Sequence, residues 1–390
     1  MDELVRYTKK IAMLIVLTPL RLLKTKNNKI IMDNCLSHNY SDNIKPIAEH
    51  LISFYPGRFE IYISVDDESK YSFLREKGIT PIRFHSLKYY VTAMTAAFFV
   101  TNSGGYSYLP LKKSQYVINT WHGGGAYKKI GIDAYSADRF YRNELKLAAR
   151  KTSLFTATGS LFADLISNAL LISRDVFALV GMPRNDLLVN GNDTIKSEVR
   201  KKIGLKEDEK LILYAPTYRK VDDNTFGKSI AIEYGIDPIR VIKAMEKRFG
   251  GKWKFAIRLH PAVKNTDEFK KYDVIDLTSY DDMQELLLIA DAMINDFSSS
   301  MWDFMLTKKP IFLYARDLQH YIDTTAVYTP VEEWPFPKST TNSELEKAIL
   351  EFDSRKYELD CDRHYNELGG CETGKSVEFV CEYMINKVSQ

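Results

Sequence analysis

Short apolar runs rich in Val, Ile, Phe and Tyr alternate with helical patterns along most of this chain. Such runs are typical of buried strands, whereas apolar residues spaced three and four apart are typical of helices. The predicted strands are 29–33, 59–65, 97–101, 116–119, 153–157 and 176–180, and then 211–215, 255–258, 274–276, 292–295 and 311–314. The clearest predicted helices are 43–54, 160–170, 238–249 and 282–290.

Strands separated by helices indicate an α/β fold with parallel sheets covered on both faces. The strands form two series that break near 187–208, where Asn190-Gly191-Asn192-Asp193 favours a turn. We therefore predict two Rossmann-like domains facing a cleft. The N-terminal domain would span 29–187 and the C-terminal domain 188–370, with a last helix over 371–390.

The N-terminal segment has an apolar stretch at 11–20 with basic residues on both sides. This stretch is too short to span a membrane, which takes about 20 apolar residues, and no secretory cleavage site follows it. It would either lie on an anionic membrane surface or pack within the protein, and the basic flanks favour the membrane surface. We predict that 1–28 is a membrane-associating segment.

Composition narrows the class of protein. The chain has 390 residues, of which 45% are hydrophobic, so it should be globular with more than one domain. Its 54 basic and 51 acidic residues give a net charge of only +3, which argues against a nucleic-acid partner. None of the four cysteines forms a CxxC pair, so neither zinc nor a redox dithiol is expected. We predict no metal ligands.

Candidate chemistry lies where predicted strands end, because ligands bind beyond the carboxyl ends of strands in doubly wound sheets. A lone histidine after a strand is more often structural than catalytic. This chain has two such histidines, His122 and His260, one in each half and each with glycine or arginine neighbours. Together they suggest two walls of one active site. The polar clusters are Thr120-Trp121-His122-Gly123-Gly124-Gly125, Pro216-Thr217-Tyr218-Arg219, Leu259-His260-Pro261 and Phe297-Ser298-Ser299-Ser300.

The serine cluster follows the strand at 292–295 and precedes a helical pattern. The first N–H groups of a helix lack partners and carry a partial positive charge, so they suit a phosphate. Taken alone, Ser298-Ser299-Ser300 would be an ordinary helix cap. The surrounding motifs favour the phosphate site.

Taken in order, the motifs resemble those of the CDP-glycerol glycerophosphotransferase family, the bacterial teichoic-acid primases and polymerases, which have a GT-B fold. The resemblance covers nearly the whole chain. It rests on Tyr40-Ser41-Asp42-Asn43, Trp121-His122-Gly123-Gly124, Gly181-Met182-Pro183-Arg184-Asn185-Asp186, Tyr214-Ala215-Pro216-Thr217-Tyr218-Arg219, Arg258-Leu259-His260-Pro261, Asn295-Asp296-Phe297-Ser298-Ser299-Ser300-Met301-Trp302-Asp303-Phe304, Lys308-Lys309-Pro310-Ile311-Phe312-Leu313-Tyr314 and Trp334-Pro335-Phe336-Pro337.

The resemblance implies transfer of glycerol phosphate from CDP-glycerol to a hydroxyl, with release of CMP. The acceptor would be a polyprenyl-diphosphate-linked saccharide or polymer at the cytoplasmic face of the bacterial cell membrane. The N-terminal half would take the acceptor and the C-terminal half the donor. CDP-ribitol as donor, a GT-B glycosyltransferase using a sugar nucleotide, and a non-catalytic membrane scaffold remain alternatives.

The resemblance and the chemistry of the side chains together assign roles. His122 is the candidate base for the acceptor hydroxyl, because an imidazole titrates near neutral pH, and His260 would help CMP leave. The family usually has His-Gly-Thr-Pro where this chain has His122-Gly123-Gly124-Gly125, which puts the loop shape and the choice of acceptor in question. The predicted donor-binding residues are Thr217, Arg219, Arg258, Asp296, Ser298, Ser299, Ser300 and Asp303. The predicted acceptor-side residues are Gly123, Gly124, Ser41, Asp42 and Asn43.

Gly369–Ser376 matches the G-x-x-x-x-G-K-[ST] phosphate loop, but residues 360–367 before it do not have the pattern of a buried strand. We predict a turn into the last helix, not an ATP site. The sequence leaves open whether a divalent cation is needed, whether one unit or many are added, and whether the chain forms a homo-oligomer.

Overall fold

The structure is a computed structural model that describes residues 2–35, 38–125, 127–134, 139–217, 234–259 and 267–388. The chain divides into two compact units. Unit 1 comprises Met1–Val189, Ala326–Tyr328 and Leu368–Gln390, and unit 2 comprises Asn190–Thr325 and Thr329–Glu367. The N-terminal and C-terminal parts of the chain therefore both belong to unit 1, and most of the residues between them form unit 2.

Unit 1 is built on a seven-stranded sheet in which all neighbouring strands are parallel, in the order β3-β2-β1-β4-β5-β6-β7. Apart from β3, each strand overlaps a predicted one. The strands are β1 (Lys26–Asp33), β2 (Glu60–Val65), β3 (Ile79–Arg83), β4 (Ala96–Thr101), β5 (Tyr116–Asn119), β6 (Thr152–Ala157) and β7 (Phe177–Leu179).

Unit 2 has a six-stranded parallel sheet in the order β10-β9-β8-β11-β12-β13. The prediction of an α/β fold with two parallel sheets is confirmed. The strands are β8 (Glu209–Tyr214), β9 (Lys252–Ile257), β10 (Val274–Asp276), β11 (Ala292–Asn295), β12 (Ile311–Tyr314) and β13 (Lys338–Ser339).

Helices connect the strands in both units. The helices are α1 (Asp2–Leu17), α2 (Ile44–Phe54), α3 (Leu87–Thr95), α4 (Gly131–Ala134), α5 (Arg139–Ala149), α6 (Ser160–Leu170), α7 (Asp186–Asn190), α8 (Asp193–Lys202), α9 (Pro238–Phe249), α10 (Met283–Ile289), α11 (Ser300–Met305), α12 (Leu318–Thr324), α13 (Asn342–Leu350), α14 (Ser354–Glu367) and α15 (Ser376–Val388).

The two faces of the unit 1 sheet are buried by different helices. On one face, Ile30 and Met32 of β1 pack in a cluster with residues of α2 and with Val380 and Met384 of α15. On the other face, Ile31 packs with residues of α3 and with the end of α1. Because successive strand residues point to opposite faces, β1 contributes to both clusters. The last helix of the chain thus completes the core of unit 1.

α1 is part of unit 1 and packs on it along one side. Leu17 is buried in the cluster with α3, and Met13 packs against that cluster. Glu144 of α5 forms salt bridges with Arg6 and Lys10. The other side of α1 exposes the apolar side chains of Leu4, Val5, Ile15 and Val16, and the segment after the helix exposes Leu22 and Leu23. Among the described residues, no helix is both long and apolar enough to cross a membrane.

Candidate active site

His122 lies in the loop after β5, at the carboxyl end of the unit 1 sheet. Its ring Nδ1 is 2.7 Å from the carbonyl oxygen of Asn102, which follows the neighbouring strand β4. A carbonyl only accepts hydrogen bonds, so Nδ1 carries the proton and Nε2 keeps its lone pair. The ring is therefore held in the tautomer that can accept a proton at Nε2.

Burial lowers the pKa of His122, and the positive charge of Arg184 acts in the same direction. The hydrogen bond to Asn102 and the charge of Asp42 oppose this shift without reversing it. The imidazole is consequently neutral at pH 7 and can act as a base.

Asp42 and Arg184 form a largely enclosed ion pair beside His122. Arg184 Nη1 lies 3.3 and 3.2 Å from the two carboxylate oxygens of Asp42, and it also donates to the carbonyl oxygen of His122 at 3.0 Å. The side chain of Arg184 is only 7% exposed and that of Asp42 17%. Within unit 1, Arg184 thus fixes the backbone of the candidate base.

Asn43 ties the same loops together and does not cap α2. Its side chain accepts from the backbone N–H of Arg184 at 3.0 Å and donates to the carbonyl of Trp121 at 2.8 Å. Asn43 precedes α2 with a helical backbone and makes no side-chain capping bond. Ser41 is buried and donates to Asn39. Ser41 and Asn43 are therefore committed to protein contacts.

The backbone around this site is strained. Non-glycine residues rarely adopt positive φ, yet Asp42 has φ 59° and Trp121 has φ 54°. His38 (φ 44°) and His85 (φ 57°), in the loops after β1 and β3, share this conformation. Such strain persists only where surrounding contacts enforce it, and it concentrates at functional sites. The loops at this edge of the sheet are held in unfavourable conformations.

Sequence reasoning missed Asn102, the fully buried residue that links these loops. Its side chain donates to Asn34 Oδ1 at 2.7 Å and to Asp42 Oδ2 at 3.1 Å, and it accepts from the N–H of Cys35 at 3.0 Å. Asn102 directly follows β4, so the strand-end rule that selected His122 could also have selected it.

The glycines after His122 allow close packing of the loop. Gly125 has φ 68°, and a Cβ placed there would lie 1.8 Å from the ring of Tyr127. Its N–H donates to Thr158 Oγ1 at 3.2 Å. Gly124 is buried and Gly123 is partly exposed, which leaves Gly123 beside His122 as the accessible predicted acceptor-side glycine.

In unit 2, Asp296 joins the ends of β8 and β11. Its carboxylate accepts from the N–H of Thr217 and from the Thr217 hydroxyl, each at 2.8 Å. Asp296 is 2% exposed. These two predicted donor-binding residues are brought together, and they bind each other.

The three serines before and in α11 differ in exposure. Ser300 is buried, and its hydroxyl accepts from Asn295 Nδ2 at 3.3 Å. Ser298 is partly exposed and its hydroxyl lies 3.0 Å from that of Ser300, while Ser299 is exposed. α11 is only six residues long. Ser298 and Ser299 are therefore the serines that a ligand could reach.

Two further predicted donor residues have protein contacts in unit 2. Arg258 donates through Nη2 to the carbonyl of Tyr280 at 3.0 Å, and burial lowers its pKa. Asp303 is buried and accepts from Gln284 at 3.2 Å. Arg219 and His260 lie outside the described residues. Among the residues that are described, no three His, Cys, Asp or Glu side chains are arranged to hold a metal ion.

The phosphate-loop match at Gly369–Ser376 lacks the preceding strand that this motif requires. The preceding residues form helix α14, as the absence of a strand pattern there led us to expect. At the start of α15, where such a loop would hold phosphate, the carboxylate of Asp186 accepts from the N–H groups of Ser376 and Val377 at 3.1 and 2.8 Å. These contacts attach the start of α15 to Asp186 within unit 1.

Comparison with known proteins identifies relatives along the whole chain. The chain is 27% identical over 374 residues to the teichoic acid poly(glycerol phosphate) polymerase of Staphylococcus epidermidis, a match covering 91% of this chain and 50% of that protein. It is 26% identical to the teichoic acid glycerol-phosphate transferase of Staphylococcus aureus, covering 94% and 96% respectively. The chain thus spans about half the length of the first relative and nearly all of the second.

The fold is shared with a solved structure. The wall teichoic acid polymerase TagF superposes with a TM-score of 0.82 at 24% identity, over 100% of this chain and 97% of that one. The family model for CDP-glycerol:poly(glycerophosphate) glycerophosphotransferase matches residues 15–386. This chain therefore belongs to the CDP-glycerol:poly(glycerophosphate) glycerophosphotransferase family.

Proposed function

We propose that this protein transfers glycerol phosphate from CDP-glycerol to a hydroxyl of a membrane-linked acceptor and releases CMP, in the synthesis of teichoic acid or a related cell-surface polymer. Family membership supports the reaction type. The observation that carries the proposal is the 2.7 Å hydrogen bond between His122 Nδ1 and the carbonyl oxygen of Asn102, which leaves Nε2 as the nitrogen that can accept a proton.

The reaction needs a base and a means of stabilising charge. The acceptor hydroxyl would give its proton to Nε2 of His122, and its oxygen would attack the phosphorus that bears the glycerol. The bond from that phosphorus to the bridging oxygen then breaks, and CMP leaves with the electron pair. Phosphoryl transfer depends mainly on positioning and charge stabilisation. Arg184 and Asn43 would contribute to positioning, because their hydrogen bonds fix the loop that carries His122.

Unit 2 would bind the CDP donor. Ser298 and Ser299 are accessible hydroxyls after β11 and could donate to phosphate oxygens. Asp296 and Thr217 would act indirectly by fixing the ends of β11 and β8. Arg219, Arg258 and His260 remain proposed phosphate ligands because cationic groups suit phosphate.

The protein would act as a peripheral enzyme on the cytoplasmic face of the bacterial membrane, where anionic lipids attract basic residues. Ile15 and Val16 expose apolar surface on α1, at 68% and 70%. Arg21 and Lys24 are exposed just beyond them. Apolar side chains flanked by cations are suited to the interface of an anionic bilayer.

The test is CMP release from purified protein given CDP-glycerol, CDP-ribitol or UDP-glucose, each with a lipid-linked disaccharide acceptor. CMP from CDP-glycerol alone is the expected result, and CMP from CDP-ribitol would establish the ribitol alternative. UDP alone would identify a sugar transferase, and silence with every donor would support a scaffold. A parallel arm with EDTA decides whether a divalent cation is required, and sedimentation decides whether a homo-oligomer forms.

A further inference from the structure

Residues 182–185, the turn that carries Arg184, are held by one carboxylate from the C-terminal part of the chain. Glu372 Oε2 accepts from the backbone N–H of Met182 at 3.0 Å, and Oε1 accepts from the side-chain amide of Asn185 at 2.8 Å. These two partners lie on either side of Arg184 in the sequence. Hydrogen bonds to an ionised acceptor are stronger than neutral ones, so Glu372 fixes both ends of the turn.

Gly181 allows Glu372 to approach the turn this closely. Its φ is 88°, and a Cβ placed there would lie 2.1 Å from Glu372 Oε2. Any other residue at this position would therefore displace the carboxylate. The hydroxyl of Ser376 also donates to the carbonyl oxygen of Gly181 at 2.9 Å. The close approach of residues 372–376 to the turn is thus built into the backbone at Gly181.

The same C-terminal segment reaches the loop of His122 by a second route. The N–H of Cys371 donates to the carbonyl oxygen of Thr158 at 2.9 Å. Thr158 Oγ1 in turn accepts from the N–H of Gly125 at 3.2 Å. Gly125 lies three residues after His122, so Cys371 and Glu372 support the two sides of the candidate base within unit 1.

These contacts lie close to the points where the chain leaves unit 1 and re-enters it. Asn185 lies four residues before Val189, which ends the first segment of unit 1, and Glu372 lies four residues after Leu368, which begins the last segment. Glu372 therefore binds the outgoing stretch of the chain to the returning stretch within unit 1.

We propose that Glu372 is a positioning residue for the candidate base, because it holds Arg184 where the guanidinium can bind the backbone of His122. This inference rests on the proposed role of His122 in transfer. Arg184 Nη1 donates to the carbonyl oxygen of His122 at 3.0 Å and lies 3.3 and 3.2 Å from the carboxylate oxygens of Asp42. Glu372 acts through this arginine and does not itself contact the substrate.

Displacement of Arg184 would change the electrostatic environment of His122. Of the charged groups that act on the imidazole, Arg184 lowers the pKa of His122 and Asp42 raises it. Weakening the hold on Arg184 reduces the first influence and leaves the charge of Asp42 less well balanced, so the pKa of His122 should rise. A general loss of folded protein would not move this pKa, which separates positioning from destabilisation.

Glu372→Gln tests the proposal in the full chain. The amide keeps the size of the side chain but has one accepting oxygen where the carboxylate has two. We expect kcat for CMP release from CDP-glycerol to fall about tenfold or more, because a small misplacement of a catalytic group is costly. The Kd for CDP-glycerol should not change, and the acid limb of kcat/KM should move to higher pH.

Two further variants complete the design. Glu372→Asp keeps the charge on a side chain that is one methylene shorter, so it should change kcat and the acid limb in the same direction but less. This milder variant keeps the test valid if Glu372→Gln fails to fold. Glu382→Gln is the matched control, since it makes the same substitution at an exposed position of α15 and should behave as the wild type.

Histidine NMR provides a readout that does not require transfer. The chain has seven histidines, and the signal that His122→Gln removes belongs to His122. The pKa read from this signal should be higher in Glu372→Gln than in the wild type or in Glu382→Gln. An unchanged pKa of His122 in both Glu372 variants overturns the proposal, as does an equal loss of kcat in Glu382→Gln. A wild type that releases no CMP would refute the proposed function, whereas a raised pKa would still establish that Glu372 positions the surroundings of His122.

Discussion

The carbonyl oxygen of Asn102 lies 2.7 Å from Nδ1 of His122, so a buried residue of one loop determines which nitrogen of the neighbouring loop's histidine can accept a proton. This relationship predicts that His122→Gln, which keeps a polar side chain but no base, lowers kcat about 10²–10⁴-fold. The Kd for CDP-glycerol, measured by calorimetry, should stay within twofold. A tenfold loss of donor affinity would instead assign His122 to donor binding.

The lowered pKa of His122 predicts a pH profile. The base is active when neutral, so kcat/KM should stay level as the pH falls to about 6.5, the ordinary histidine pKa, and decline only below it. The same shift lowers the free energy of unfolding as the pH falls below about 6.5, because His122 binds a proton at a higher pH in the unfolded chain than in the folded protein. Stopped assays across pH 5–8 provide the measurement, and an acid limb centred above pH 6.5 would contradict the lowered pKa.

Breaking the Asp42–Arg184 pair should destabilise unit 1. Arg184→Met leaves Asp42 largely enclosed without its cation, which costs about 3–5 kcal/mol for buried pairs. Asp42→Asn added to Arg184→Met should recover part of the loss, since the enclosed charge is gone. Urea unfolding gives the values. Arg174→Met is the matched control, because the Arg174–Asp164 pair is 39% and 62% exposed and such surface pairs contribute at most about 1 kcal/mol. Equal losses in the two variants would refute the argument.

Ser298→Ala combined with Ser299→Ala should weaken CDP-glycerol binding about tenfold, because two accessible donors to phosphate are lost. The thermal unfolding midpoint should change little, since Ser299 is exposed and Ser298 is partly exposed. Ser354→Ala, an exposed serine at the start of α14, is the control. Unchanged donor affinity in the double variant would reduce the two serines to a structural role before α11.

Membrane association should depend on the outer side of α1. Ile15→Glu with Val16→Glu replaces two exposed apolar side chains by anions, so binding to phosphatidylglycerol vesicles should fall about tenfold or more. Phe54→Glu makes the same kind of change at a residue that is 68% exposed on α2 and should have no effect. Cosedimentation measures both. Point variants are preferable to deletion of α1, because Leu17 and Met13 contribute to the core.

Local patterns predicted most of the fold. The central strands of both sheets have short apolar runs, and their positions agree with prediction within a few residues. β3 was missed because Pro81 interrupts its pattern, and Pro is tolerated there because β3 is an edge strand. β13, an edge strand of the unit 2 sheet, was missed because it has only two residues, which are too few to form a recognisable pattern.

The candidate site was predicted less completely, since its partners come from distant parts of the sequence. His122 was identifiable from its place after a strand, but its contacts with Asn102 and Arg184 depend on tertiary packing. Thr217 and Asp296 were selected as ligand-binding residues, and no local pattern could indicate that they bind each other. The type and position of a residue indicated which chemistry it could perform. Whether it contacts a ligand or holds another residue in place depends on the tertiary structure.

The return of the chain to unit 1 has a consequence for synthesis on the ribosome. Val380 and Met384 of α15 complete the core face that includes Ile30 and Met32, but they are translated after every residue of unit 2. Unit 2 can therefore finish folding while unit 1 still has an uncovered apolar face. A premature stop before α15 would leave that face of unit 1 without the packing of Val380 and Met384.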